Sequence, residues 1–146
     1  MSPRYSRRKS RASNTAGRSH GRHDRAMRQR MLIVDDNTAF RAAARRLLER
    51  GGFVIVAEAA NGTEAVQQAR THRPDVALVD VQLPDFDGFE VAERLHRLEP
   101  ALQVILTSSL DGSDFGLLVA GSRALGFVPK GELAVSAIEA LLVPAG

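Results

Sequence analysis

At 146 residues, with 44% apolar and 25% charged content, the chain is long enough for one domain with a single hydrophobic core and too apolar for a disordered polymer. No apolar run approaches the roughly 18–20 residues that cross a bilayer and no apolar leader opens the chain, so a cytoplasmic protein is expected; the lack of cysteine excludes disulfides and thiolate metal sites and suits any compartment. The net charge of +3 is divided unevenly: residues 1–30 hold ten Lys/Arg against Asp24 alone, a local +9, while residues 31–146 hold ten against sixteen acids, a local −6.

Residues 1–30 are rich in Arg, Ser, Gly and His and lack hydrophobic periodicity, so they read as a disordered basic tail. Met27 and Met31 offer alternative starts, which leaves open whether the tail is native. Any contact with nucleic acid is expected to be weak and confined to this tail, because the remainder is acidic.

From Met31 onward short apolar runs alternate with helical spacing. Leu32-Ile33-Val34 predicts a first strand, ending in Asp35-Asp36. Phe40, Ala43, Ala44, Leu47 and Leu48 then fall on one helix face opposite Arg41, Arg45 and Arg46, and Gly51-Gly52 suits the helix end. Phe53 to Val56 predicts a second strand. Asn61, three residues before Glu64, resembles a helix-start cap for a helix through Ala65, Val66 and Ala69. Val76 to Val79 predicts a third strand, ending in Asp80. Asp85 and Asp87 read as turn formers around Gly88, ahead of a helix marked by Val91, Leu95 and Leu98. Val104-Ile105-Leu106 predicts a fourth strand that runs into Thr107-Ser108. A weaker helical pattern follows through Leu117, Leu118, Gly121, Ala124 and Leu125. Phe127-Val128 predicts a fifth strand leading to Lys130, and Ala134, Ala137, Ile138, Leu141 and Leu142 a last helix.

The runs are continuous, as in parallel strands covered on both faces. Five strand–helix units predict an α/β fold, a doubly wound five-stranded parallel sheet of flavodoxin-like topology with strand order 2-1-3-4-5 and five helices. In such sheets ligands bind at the carboxyl ends of the strands, where the order reverses. Asp35, Asp36, Asp80, Thr107 and Lys130 all fall at that edge. Three neighbouring carboxylates repel one another unless a cation intervenes, and oxygen-only ligands favour a hard cation such as Mg²⁺. A cation and a lysine together form a clamp for a phosphoryl group passing to a carboxylate.

The stretches Asp35-Asp36, Asp80-Val81-Gln82-Leu83-Pro84-Asp85-Phe86-Asp87-Gly88, Thr107-Ser108 and Phe127-Val128-Pro129-Lys130 resemble the response-regulator receiver family, from Met31 to the C-terminus. The resemblance implies that Asp80 is the phosphoacceptor and that Asp35 and Asp36 hold Mg²⁺, with the Gln82 carbonyl as a further ligand. It implies that Thr107 and Lys130 contact the phosphoryl oxygens and that Thr107 and Phe127 form a switch. The donor it implies is a sensor histidine kinase or a histidine phosphotransfer protein; the downstream protein is unknown. Residues 31–146 are then a stand-alone receiver, a signalling switch rather than an enzyme. One departure is Gly131 after Lys130, where the family often has proline, which leaves the geometry of that peptide open. The rival reading is a binding module that works without phosphorylation. A phosphatase with an aspartate nucleophile fits less well, because Gln82 stands where a second acid is needed.

Overall fold

The computed structural model describes residues 29–110 and 115–142. The basic tail expected over residues 1–30 lies outside them except for Gln29 and Arg30. Among the described residues, five strands, β1 (Arg30–Val34), β2 (Val54–Ala59), β3 (Val76–Asp80), β4 (Gln103–Ser108) and β5 (Gly126–Pro129), alternate with five helices. These are α1 (Thr38–Arg50), α2 (Gly62–His72), α3 (Gly88–Leu98), α4 (Gly116–Ala120) and α5 (Val135–Leu141). A 3₁₀ turn, Lys130–Glu132, follows β5 directly. The strands pair in parallel in the order β2-β1-β3-β4-β5, the doubly wound arrangement expected from the sequence.

Successive strand residues point to opposite faces, so the continuous apolar runs fill two cores. On one face Leu32, Val34, Ala77, Val79, Val104 and Leu106 meet Ala65 and Ala69 of α2 and Val91, Ala92 and Leu95 of α3. On the other, Met31, Ile33, Val76, Leu78 and Ile105 meet Ala44 and Leu48 of α1 and Ile138 of α5. Leu48 and Leu95 are fully buried, and truncation of either to alanine costs about 2–5 kcal/mol.

The helix starts are set by local hydrogen bonds. Side-chain oxygens of Asn37, Asn61 and Asp87 accept from the amides of Phe40 (2.9 Å), Glu64 (2.8 Å) and Glu90 (2.9 Å). Each satisfies a donor that a helix leaves unpaired, worth about 1 kcal/mol. Gly51 closes α1 and Gly52 turns the chain at φ 101°, a backbone that suits glycine.

Two boundaries differ from the sequence reading. The sheet begins at Arg30, inside the expected tail: Arg30 pairs with Val54, its amide donates to Asp75 Oδ2 (2.9 Å) and its Nη1 to the Arg73 carbonyl (2.7 Å). The apolar pattern marks only the buried part of the strand, and Arg30 joins through its main chain. The fourth helix is shorter than its spacing suggests. The Gly121 amide closes it onto the Leu117 carbonyl, and Ser122 Oγ donates to the Val119 carbonyl at 2.8 Å. Ser122 Oγ also accepts from the Ala124 amide at 3.1 Å, an alternative to continued helix. Leu125 joins the lead-in to β5 instead, its amide bonded to the Val104 carbonyl. Leu117 and Leu118 stay exposed, 92% and 58%. No helix among the described residues is long and apolar enough to cross a membrane.

Candidate functional site

β1 and β3 are neighbours, as are β3 and β4; Val34 pairs with Val79 and Asp80 with Thr107. Asp35 follows Val34 directly. By the pleat, Asp35, Asp80 and Thr107 continue the rows of Ile33, Leu78 and Ile105, so all three share the α1/α5 side of the sheet. All three are buried, whereas Asp36 is exposed. One carboxylate oxygen from each of Asp35, Asp36 and Asp80 lies within 4.8 Å of the others.

Lys130 enters from the end of β5. Its Nζ stands 2.6 Å from Asp35 Oδ2, 3.3 Å from Asp80 Oδ2 and 4.3 Å from the centroid of the Phe40 ring. Asp35 Oδ1 accepts from the Asn37 amide (2.8 Å), and Asp80 Oδ1 from the Gln82 amide (3.0 Å). Asp35 Oδ2 is buried and has no aligned hydrogen-bond donor, only the ion pair with Lys130. Burial raises the pKa of Asp80, the Gln82 amide opposes it, Asp35 adds repulsion and Lys130 offsets part of it; the net shift is upward. Burial alone would lower the Lys130 pKa, but Asp35 and Asp80 outweigh it and hold the ammonium charged.

The surrounding loops are pinned by side chains. Arg41 Nη1 donates to the Asp35 carbonyl (2.5 Å) while its Nε pairs with Glu58 Oε1 (3.0 Å), and Arg45 Nη1 holds Glu58 Oε2 (2.8 Å). Asp85 accepts from the amides of Gly62 (2.8 Å), Thr63 (2.9 Å) and Phe86 (2.9 Å) and from Thr63 Oγ1 (2.9 Å), which ties the loop after β3 to the start of α2. Burial opposes ionisation of Asp85, but these donors hold its carboxyl well below the usual range. Gly88 lets α3 start against β3: a Cβ there would stand 2.5 Å from the Asp80 carbonyl oxygen.

Of the residues singled out from the sequence, Asp35, Asp36, Asp80 and Lys130 converge. Thr107 stands beside them in register, with its hydroxyl donating to the Val128 carbonyl. Gln82 stands two positions after Asp80 along the chain and is exposed. Phe127 lies outside the cluster, paired with Leu106 and packed toward the opposite core, its ring centroid 5.7 Å from Phe115; Phe115 is 6.1 Å from Phe89. Among the described residues every peptide bond is trans, Lys130–Gly131 included. Asp85 and Asp87, read from the sequence as turn formers, also tie the loop to α2 and cap α3. Sequence reasoning placed Phe40 in the core and Arg41 on the solvent face of α1; both touch the site. Their one signal was position, within a turn or so of Asp36.

The family model for the response regulator receiver domain matches residues 31–141. The chain is 44% identical over 103 residues to a Pseudomonas aeruginosa protein, covering 70% of this chain and 50% of that one. It is 30% identical over 115 residues to the chemotaxis protein CheY of Bacillus subtilis, covering 79% of this chain and 96% of CheY. Among solved structures it is similar to a LuxR-family two-component response regulator from Aurantimonas, with 34% identity, a TM-score of 0.69, and coverage of 77% of this chain and 85% of that one. The chain thus spans about half the length of the first of these relatives and nearly all of CheY. With the doubly wound sheet and the acids at its carboxyl edge, these matches show that the chain belongs to the response-regulator receiver family of two-component signalling switches.

Proposed function

We propose that the chain accepts a phosphoryl group on Asp80, with Mg²⁺ held by Asp35, Asp36, Asp80 and the Gln82 carbonyl, and that the charge gained switches the binding of a downstream protein. The observation that carries this reading is the meeting of Lys130 with Asp35 and Asp80 at the carboxyl edge of the sheet. Three carboxylates within 4.8 Å, one with a buried oxygen that lacks an aligned donor, are a donor set suited to a hard cation. The bound cation supplies charge neutralisation at the phosphoryl oxygens.

An Asp80 carboxylate oxygen attacks phosphorus. With a histidine kinase or a histidine phosphotransfer protein as donor, the P–N bond breaks and the imidazole leaves with the electron pair and takes up a proton. With a small acyl phosphate the P–O bond breaks and the acyl carboxylate departs. Lys130, held charged beside the acceptor, stabilises the added charge. The Thr107 hydroxyl then leaves the Val128 carbonyl for a phosphoryl oxygen, and Phe127 and the exposed leucines of α4 carry the change to the partner.

Incubation with a small acyl phosphate, with and without chelator, followed by intact-mass measurement, tests the reading. Wild type should gain one phosphoryl group only with Mg²⁺, and Asp80→Asn none. The reading is falsified if wild type gains no mass, or if Asp80→Asn gains it equally.

A further inference from the structure

Lys130 Nζ has three close neighbours. Two are carboxylates and the third is the face of Phe40, 4.3 Å from the ring centroid. Lys130 keeps 17% of its side chain exposed, so little water reaches the contact with the ring. A cation over an aromatic face is attracted by the ring quadrupole, and the attraction grows as water is excluded.

The ring is held in register with the acids. Asp35 Oδ1 accepts from the Asn37 amide at 2.8 Å, and Asn37 Oδ1 accepts from the Phe40 amide at 2.9 Å. One turn of chain therefore presents both Asp35 and Phe40 to the ammonium. The Arg41 guanidinium, bound to the Asp35 carbonyl, closes the same turn. A flexible four-carbon stem loses considerable rotamer freedom when its head is fixed. A rigid ring that narrows the choice of positions lowers the part of that cost falling at the moment of phosphoryl transfer.

We propose that Phe40 is a positioning residue for Lys130: its ring face holds the ammonium over the gap between Asp35 and Asp80, where phosphoryl oxygens arrive. The inference rests on the phosphoryl-acceptor reading of Asp80 and adds a role that apolar packing alone does not supply. An aliphatic side chain of similar size fills the same space but offers no quadrupole. A tyrosine offers both.

The test compares wild type, Phe40→Leu and Phe40→Tyr in the full chain. The chain has only two lysines, Lys9 and Lys130, so the Hε resonances of Lys130 are readily assigned, with Lys9 as an internal reference. Ring current should shift the Lys130 Hε protons upfield of those of Lys9 in wild type and Phe40→Tyr, and the shift should vanish in Phe40→Leu. With saturating Mg²⁺ and a small acyl phosphate, Phe40→Leu should be phosphorylated roughly 3- to 30-fold more slowly, at unchanged Mg²⁺ affinity, with Phe40→Tyr near wild type. An absent upfield shift in wild type overturns the proposal. So does a Phe40→Leu rate equal to wild type, a Phe40→Tyr rate as slow as Phe40→Leu, or a rate loss that follows a loss of Mg²⁺ affinity. If wild type takes up no phosphoryl group, the reading of Asp80 fails by itself and the Lys130 shift still decides the placement of the ammonium.

Discussion

Thr107 Oγ1 donates to the carbonyl oxygen of Val128 at 2.6 Å, and both residues are buried. The bond joins the end of β4 to β5 at the residue between Phe127 and Pro129, two positions before Lys130. A single hydroxyl hydrogen cannot serve this carbonyl and a phosphoryl oxygen at once. If Asp80 is phosphorylated, the two acceptors compete for it.

Thr107→Val keeps the side-chain shape and removes the donor. Urea unfolding should show a loss of about 1–3 kcal/mol, the range for a buried carbonyl deprived of a partner. Uptake of a phosphoryl group by the variant should continue, since Lys130 and the carboxylates remain. The response of Phe127 and Phe115 resonances to a phosphate mimic should disappear. A full response in the variant would count against the hydroxyl as the moving part.

Asp80→Asn should raise the melting temperature in the absence of divalent cations. The Asp80 carboxyl is held above its usual range by burial and by repulsion from Asp35, against the Gln82 amide and Lys130. A raised carboxyl titrates later in the folded chain than in the unfolded one. Its ionisation therefore costs nothing below the unfolded pKa, begins to destabilise as pH rises through that value, and reaches its full cost above the folded pKa. The gap between variant and wild type should widen with pH in a series of thermal melts. A gap that narrows as pH rises would reverse this account.

Glu58 behaves in the opposite sense. Burial alone would raise its carboxyl, but hydrogen bonds and charge from Arg45 and Arg41 outweigh it and hold it low. The stabilisation is present above the unfolded value near 4.5 and is lost as pH falls through the folded one. Glu58→Gln should cost roughly 1 kcal/mol at neutral pH, as befits a half-exposed ion network, and progressively less below about pH 4. Arg41→Gln releases the Asp35 carbonyl as well, and should weaken Mg²⁺ binding roughly tenfold, the usual effect of losing a residue that orients a ligand. Calorimetric titration with Mg²⁺ checks the second claim.

Removal of residues 1–28 should leave the melting temperature unchanged, because their composition offers little apolar surface to bury. A chain that begins at Met31 should melt lower. It loses the Gln29 carbonyl that accepts from Val54, the Arg30 amide bond to Asp75 and the Arg30 guanidinium on the Arg73 carbonyl. Equal melting of the two shortened chains would show that the start of β1 contributes nothing.

The strands were legible because each contains an unbroken apolar run, and Asp35 and Asp80 because each closely follows such a run. That Asp80 and Thr107 share the carboxyl edge followed from topology, while their direct pairing appears only in the structure. The length of α4 did not, since Gly121 and Ser122 end it through hydrogen bonds that periodicity cannot represent. Arg41 was hidden for a related reason. Its spacing puts it on the polar side of α1, and only the bend of the chain between Asp35 and Asn37 turns its guanidinium back to the Asp35 carbonyl. Phe40 satisfied the helical pattern so well that nothing in the pattern called for a second role.

The pleat of β5 has a further consequence. Phe127 packs with the core under α2 and α3, and Val128, the next residue, with the core under α1 and α5. The acids and Lys130 stand on the second side, while the row from Phe127 through Phe115 to Phe89 lies on the first. The two sides meet at one peptide unit, as they do between any successive strand residues, and here that unit carries the carbonyl that Thr107 holds. A tug on the Val128 carbonyl need travel only from one Cα to its neighbour to be felt on the far side. If Asp80 is phosphorylated, the edge strand would act as a rocker: a tilt driven by chemistry beneath it would become a change of contour above.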